Sequence, residues 1–501
     1  MAGAERTAVV VVGAGPVGLL LAGELRLGGT EVVVLEQLPG PTGESRATTV
    51  HARTMEILDQ RGLLGRFAER LDDVPRDPVS HVGGIPLRLD GLSEPVGGGP
   101  VRLAGQWKIP QTRIEEELEK WATGLGAQVR RGHRVTRLCV AENGVEVTTL
   151  GPAGQTGRIR AGYLVGCDGE NSTVRRLAGF TTTGHDAVRE LLRADVAGIE
   201  IPGRRFERFP NGLAIASRRP DGVTRVMVHE FGRVPVPRTA PPTFDEVAKS
   251  WSRVTGEDIS TGEPVWLNAF GDVSRQVTRY RRGRVLLAGD AAHAQMPVGG
   301  QALNLGLQDA SNLGWKLAAQ ATGRAHPDLL NSYDAERRPV GARVLTNISA
   351  QALLLLGGPE VEAQRAVTAE LLGLEPVRRH LAGVISGTGL RYGPSTSPVG
   401  APMPHTGLAT DDGPVDTTAL LRAGRALLLV MSADGRGHDR VVRSARRRSG
   451  QVRVVVGVPG PQGAPDGIGA ALVRPDGYLA WTDRQGPEQF DGVLSHWFGD
   501  R

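Results

Sequence analysis

A chain of 501 residues with 40% hydrophobic and 23% charged residues is too long for one ordinary core and too apolar for a disordered chain, so two or three domains are expected. The net charge of +5 balances 59 basic against 54 acidic residues, a mixed surface without the footprint of a nucleic-acid binder; the densest basic run, residues 440–453, has no interleaved aromatics and reads as a solvated helix face. Only two cysteines, Cys139 and Cys167, are present, which excludes a disulfide framework or cysteine-based zinc site and points to the reduced cytoplasm.

In chain order, residues 8–12 read as a buried strand, 16–28 as a helix and 31–36 (EVVVLE) as a second strand. This βαβ start predicts a parallel sheet covered on both faces. The same N-terminal stretch is apolar, but its glycine spacing and the acid that follows speak against a signal peptide or membrane helix, and no membrane partner is expected. A helix is predicted over about 113–125, and a strand ends with YLVGCDG at Gly169. The segment GLAIASRRPDGVTRVMVHEF reads as two strands around an RPDG turn. It belongs to a β-rich insertion over 180–275, the natural place for a substrate wall. The strand RVLLA and the helix NLGLQDASNLGWKLAAQAT then resume the first domain, so that 1–179 and 276–391 form two parts of one unit. The Pro-, Gly- and Ser-rich residues 392–407 read as a linker, and 408–501 as a small α/β domain.

The chemistry starts at GAGPVG, which places Gly13, Gly15, Pro16, Val17 and Gly18 between a strand and a helix. The first two glycines permit a tight turn and close approach to a pyrophosphate, the third lets the helix pack on the strand, and the helix amides face the anion. Glu36, with Gln37 beside it, ends the second strand where a ribose hydroxyl is expected. Asp168–Gly169 and Gly289–Asp290 stand at two further strand ends. Glycine-acid elements spread over about 290 residues suit FAD, which is longer than a single compact nucleotide unit, better than NAD. His293 has no histidine or carboxylate partner at metal-ligand spacing, so no metal is expected and its role reads as packing.

GxGxxG, the CDG element and GDAAH…PVGGQ…N…QDASNLGWKLA together resemble the class A flavoprotein monooxygenases of the p-hydroxybenzoate hydroxylase group. The phrases GESRA, ARTMEILDQRG, IPQTRIEEELEKWA, SYDAERRPVG and RPDGYLAW are similar to its aromatic polyketide hydroxylases, those of angucycline-type tetracyclic intermediates above all. The resemblance spans nearly the whole chain. It implies an α/β fold with a Rossmann-like FAD-binding domain of the p-hydroxybenzoate hydroxylase type, an inserted β-sheet substrate domain and a thioredoxin-like C-terminal domain. It implies FAD reduced by NADPH or NADH, O₂ as co-substrate, and oxygen transfer from a flavin C4a-hydroperoxide to a polycyclic phenol, with no catalytic residue required beyond the cofactor.

On the same resemblance, Arg46 is expected at the AMP part, Gln111 at the ribityl or phosphate region, Asp290 at the ribityl hydroxyls, Arg53 near the flavin and Val135 near the adenine. The loop Pro297, Val298, Gly299, Gly300, Gln301, Ala302, Leu303 and Asn304 is expected to curl around the isoalloxazine ring, with its amides at a helix N-terminus. Trp107, Pro297 and Val298 are candidates for the substrate pocket. Two features depart from the family: GGQALN stands where GGQGMN is usual, and no cysteine follows Cys167, which removes thiol chemistry from the C-terminal domain. No separate NADPH domain is expected, and GVPGPQG at 457–463 reads as a loop. Epoxidation, Baeyer–Villiger ring opening and a flavin-binding pathway protein that does not oxygenate remain alternatives; both a monomer and a homodimer stay open.

Overall fold

A computed structural model describes residues 5–499 apart from 44–46, 68–72, 90, 92–97, 237, 239, 433–436 and 461–462. Valine-rich segments build its first sheet, because β-branched side chains pack well on a pleated surface. Glu5–Val12 lies parallel between Val32–Leu35 and Thr156–Gly166. Gln128–Arg130 extends one side in parallel and Val285–Leu287 the other. Val9, Val10 and Val11 have no exposed surface, as expected of parallel strands covered on both faces. A hairpin of Arg134–Ala141 and Gly144–Leu150 leaves Thr156–Gly166 as an antiparallel extension. Its first strand buries only Val135, and its apolar residues 138–141 stay exposed or half-buried, so burial does not follow the sequence pattern there.

Helix Pro16–Leu27 packs against helix Gln301–Ala321, which is buried continuously from Asn304 to Ala318. A helix with no solvent face lies inside the protein, so its charged residues need partners there. Helix Asn331–Leu356 is long and apolar enough to cross a membrane by length and composition. Here it lies on the core, with Tyr333 and Arg337 fully buried.

The inserted sheet is antiparallel, in the order Arg204–Phe209, Gly212–Arg218, Thr224–Glu230, Glu190–Ala197, Glu263–Gly271. Helix Phe244–Thr255 covers one face and buries Trp251 completely. Thr243 caps its start, accepting from the Glu246 amide at 3.2 Å, and Gly256 ends it in a left-handed turn.

The C-terminal sheet runs Val452–Val456, Ala426–Val430, Ala470–Val473, Leu479–Thr482, with only the first pair parallel. Helices Asp439–Arg446 and Phe490–Phe498 cover one face, giving the thioredoxin-like order without its thiols. The expected linker proves to be packed rather than free: Ala401 is fully buried, and the Gly400 and Met403 amides donate to Leu479 and Gly477 at 2.8 Å. The GVPGPQG segment begins as an edge strand, Val458–Pro459, paired with Gly407–Thr410.

Candidate active site

The register of the first sheet builds the site. Val12 pairs with Leu35 on one side and Gly166 on the other, and Gly166 pairs with Leu287. Four strands therefore end level, and the residues after them (Gly13, Glu36, Cys167–Asp168 and Ala288–Gly289) form one rim at the carboxyl edge, where α/β sheets bind ligands. Backbone bonds lock this rim: Gly13 donates to Leu35 at 2.8 Å, Cys167 to Val12 at 2.8 Å and Ala288 to Gly166 at 3.0 Å.

Gly13 has φ +104°, and a Cβ there would lie 2.3 Å from the Cys167 carbonyl oxygen; one at Gly18 would lie 2.0 Å from that of Gly13. Gly15 instead faces open space, at the start of a helix with no side-chain cap. The uncapped amides and the open side of Gly15 fit a pyrophosphate. Glu36 accepts from the Ala14 amide at 2.8 Å and the Leu38 amide at 2.9 Å, and its oxygens keep lone pairs for a ribose hydroxyl.

A buried ionic hub fixes the opposite side of the rim. Asp309 is fully buried and accepts from the Gly289 amide at 3.1 Å, His293 Nε2 at 2.8 Å and Arg337 Nε at 2.7 Å. Burial alone would raise its pKa, but the Arg337 and His293 groups outweigh it and hold the carboxyl below its ordinary value. Gly289, at φ +63°, is thereby pinned one residue before the exposed Asp290. His293 is buried, and its Nε2 is spent on the Asp309 carboxylate.

Gly299 and Gly300 both adopt positive φ, 65° and 69°, before helix Gln301–Ala321, which again starts without a side-chain cap. Asn304 ties this turn to strand Thr49–His51, donating to the Gly300 and Thr49 carbonyls at 2.7 and 3.0 Å and accepting from the His51 amide at 2.9 Å. Its amide group is therefore the brace of the loop. Ala302 and Leu303 are half-buried and Gln301 is buried. His51 lies beneath the loop, fully buried, its Nε2 without a hydrogen-bond partner and its pKa lowered to about 4 by burial. It stays neutral at physiological pH.

Val298 and Met296 pack against Leu191 and Leu213 of the inserted sheet and Leu355 of the long helix. The two faces of that sheet differ. Leu192, Ala194, Val196, Ala214, Val226 and Val228 are buried against helix Phe244–Thr255. On the other face Ile215, Met227, Trp266, Asn268 and Phe270 are only half-buried. This is an apolar and aromatic wall beside the Pro297–Asn304 loop.

The FAD binding domain family matches residues 6–348, and the aromatic-ring hydroxylase C-terminal family matches residues 396–500. The chain is 39% identical, over 98% of both sequences, to the 12-dehydrotetracycline 5-monooxygenase/anhydrotetracycline 6-monooxygenase of Streptomyces rimosus. The chain belongs to the FAD-dependent aromatic-ring hydroxylases. Among solved structures, BexE, studied for oxidation during BE-7585A biosynthesis, matches with TM-score 0.90 at 47% identity over 99% of both chains. CabE, an aromatic hydroxylase from angucycline biosynthesis, matches with TM-score 0.90 at 45% identity over 98% of this chain and 99% of its own. A dialkyldecalin synthase of Streptomyces rugosporus is also 36% identical over 98% of both sequences, so the fold is not confined to proteins named as oxygenases.

As a flavoprotein monooxygenase of this family, the chain uses FAD, and several expected cofactor residues can be placed against that. Asp168 spends its carboxyl on helix Thr173–Leu177, accepting from Ser172 Oγ at 2.5 Å and the Val174 amide at 3.0 Å. Burial raises its pKa against those bonds. It serves the rim through its main chain, which backs Gly13, while Gly169 stands open at φ +74°. Gln111 opens helix Gln111–Gly124, with its side chain on Glu115 at 2.8 Å. Val135 is buried in its hairpin, whereas Gln37 and Pro297 are exposed. Arg46 lies outside the described residues.

Two expectations move. Arg53 was expected near the flavin, but its guanidinium is buried on Glu56, the Asp476 carbonyl and the Tyr478 ring. It joins the hydroxylase's two domains. Trp107, a pocket candidate, is 2% exposed, with Nε1 donating to the Leu103 carbonyl at 3.0 Å; it is core. Asp309, Arg337 and His51 were missed as site residues. Asp309 lies inside the quoted QDASN motif, but only its distant partners reveal the hub.

Proposed function

We propose that the chain hydroxylates a polycyclic aromatic polyketide in antibiotic biosynthesis, with NADPH or NADH and O₂ as co-substrates. The half-buried side chains of Ile215, Met227 and Phe270, packed with Met296 and Val298 of the Pro297–Asn304 loop, carry this reading, because they put an apolar and aromatic surface next to a flavin-binding rim. When bound, FAD supplies the chemistry, taking electrons from the nicotinamide and passing one oxygen atom of O₂ to an electron-rich ring. The protein positions, dries and polarises.

We assign the pyrophosphate to the amides of Gly13–Gly18, the adenosine ribose to Glu36 with Gln37 beside it, and the ribityl stretch to Asp290 and Gln111. The amides of Gln301–Asn304, at an uncapped helix start, would stabilise negative charge on the pyrimidine edge of the reduced ring. Leu191, Leu213, Met296, Val298 and Leu355 exclude water beside it. The domain limits read from the sequence are kept as part of this proposal. The two free cysteines support a cytoplasmic setting.

The test is NADPH oxidation by the holoenzyme with anhydrotetracycline and a tetracyclic angucyclinone phenol, followed by mass analysis of products formed under ¹⁸O₂. Substrate-stimulated oxidation with one ¹⁸O in a ring hydroxyl is expected. Flavin binding without either would favour a non-oxygenating role like that of a synthase, and product structure separates hydroxylation from epoxidation or ring opening.

A further inference from the structure

We propose that a cavity beside the first turns of helix Gln301–Ala321 binds a small aromatic carboxylate with a hydroxyl at its far end. The bound ligand steadies the loop before that helix, a consequence that rests on the flavin placement above. Gln301, Asn304, Leu305 and Gln308 line the cavity, and their spacing of three and four residues puts them on one helix face. Val340, Arg343 and Val344 repeat that spacing on helix Asn331–Leu356, and the end of helix Glu375–Ser386 closes the third side with Ile385. The nucleotide rim meets a different face of the first helix: a Cβ at Gly306 would lie 2.7 Å from the Val17 side chain and 3.1 Å from Gly289 Cα. The substrate wall is separate too. Val344 stands between them, packing into the wall's cluster and into that of Leu305, Val340 and Leu390.

Three polar groups of this cavity lack partners. His51 lines it, is 1% exposed, and has no hydrogen bond at Nε2. Burial outweighs the nearby Gly299 and Ile385 carbonyls and brings its pKa to about 4, so the ring is neutral and offers one donor and one acceptor nitrogen. Gln308 is 7% exposed, and its carboxamide makes no hydrogen bond among the described residues. Gly387 gives that group room, since a Cβ there would lie 2.8 Å from Gln308 Nε2. Arg343 is exposed, pairs with no described residue, and marks the mouth.

A buried polar group left without a partner costs about 1–3 kcal/mol, so two of them facing one cavity call for an occupant. The walls between them, Leu305, Val340, Ile385 and Leu390, are apolar and buried, which suits a ring better than a file of waters. With its open mouth the cavity measures about 510 Å³, room for one ring with short substituents. The hydroxyl of the ligand exchanges hydrogen bonds with His51 and Gln308, and its carboxylate meets the Arg343 guanidinium. Asn304 carries the effect to the loop. It lines the cavity while donating to the Thr49 and Gly300 carbonyls, so a ring packed on it holds the Gly299–Gly300 turn in place.

The experiment is calorimetric titration of the FAD-loaded protein with 4-hydroxyphenylacetate, with phenylacetate, which lacks the hydroxyl, and with 4-hydroxyphenethyl alcohol, which lacks the charge. The first should bind one to one, about tenfold more tightly than either of the others, and should perturb the flavin absorption bands. Gln308→Leu should erase the preference over phenylacetate and Arg343→Gln the preference over the alcohol, both with wild-type melting temperature and FAD content. Phe270→Leu, on the substrate wall, should leave all three affinities unchanged. If Gln308→Leu fails to fold, the surface change Arg343→Gln decides alone. Equal binding of the three probes by wild type, or binding of none, would overturn the proposal. So would preferences that survive both cavity substitutions or vanish in Phe270→Leu, which would put the ligand on the substrate wall. Binding without a change in the flavin bands would overturn the link to the loop. None of these outcomes touches the hydroxylase reading, which stands or falls on turnover of the polycyclic phenols.

Discussion

The nucleotide rim and the substrate wall are built on opposite plans. On the rim, strand ends in register, glycines backed by carbonyls and the Asp309 hub commit nearly every direction. In the inserted sheet, one face is packed under helix Phe244–Thr255, while on the other Ile215, Met227, Trp266 and Phe270 are half-buried. A cofactor common to a family can be held by main-chain geometry, which tolerates little change. Substrate choice can be left to side chains on a face that the fold does not need. The wall can therefore be edited where the rim cannot.

The sharpest break of this contrast is at Asp309. Asp309→Ala leaves Arg337 buried without its carboxylate, a loss of about 3–5 kcal/mol for a broken buried pair. It also frees the Gly289 turn. Melting temperature and flavin content after gel filtration should fall together; an unchanged flavin ratio would show that the hub does not hold the cradle.

Within the inserted sheet the two faces can be set against each other. Trp251 is fully buried behind it, so Trp251→Ala should cost about 3–5 kcal/mol. Phe270 is half-buried on the other face, so Phe270→Leu should cost less than about 1.5 kcal/mol while raising KM for a polycyclic substrate. Comparable losses of stability from the two variants would remove the distinction.

The junction of the domains is a third kind of region, committed through charge. Arg474 and Lys316 meet Glu336, Lys316 Nζ at 2.7 Å. Burial would raise the Glu336 pKa, but those two cations outweigh it and bring it to about 2. Because the folded value is depressed, the stabilisation is complete above the ordinary value of 4.5 and is lost as pH falls toward 2. The shift corresponds to about 3 kcal/mol. Wild-type melting temperature should drop across that window, and Glu336→Gln should flatten the drop. Parallel acid profiles for the two proteins would exclude this junction as the cause.

What could be read from the sequence follows the same division. GAGPVG, CDG and GDAAH are local strand–turn–helix patterns, and each came out at the rim, level with the others. Asp309 depends on His293 and Arg337, 16 and 28 residues away, and no spacing rule connects them. In ELLRADVA the apolar Leu191 and Leu192 point to opposite faces; the two faces are told apart only once the covering helix is in place. Residues 392–407 were read as a linker from proline and glycine content, which marks turns and says nothing of what Ala401 and Met403 bury.

Ala302 gives the smallest and most specific test, because it stands where the sequence resemblance leads one to expect glycine. It is half-buried in the first turn of helix Gln301–Ala321, directly after the two positive-φ glycines. Ala302→Gly should change stability by no more than about 1 kcal/mol, the helix-propensity difference, and should leave the Asn304 brace intact. On the placement of FAD proposed above, removing the methyl would give the flavin ring more room. The rate of flavin reduction by NADPH, and the stimulation of that rate by substrate, should both change. Identical stopped-flow reduction traces, with and without substrate, would show that the extra carbon is carried at no functional cost and that the committed plan of the rim tolerates one methyl.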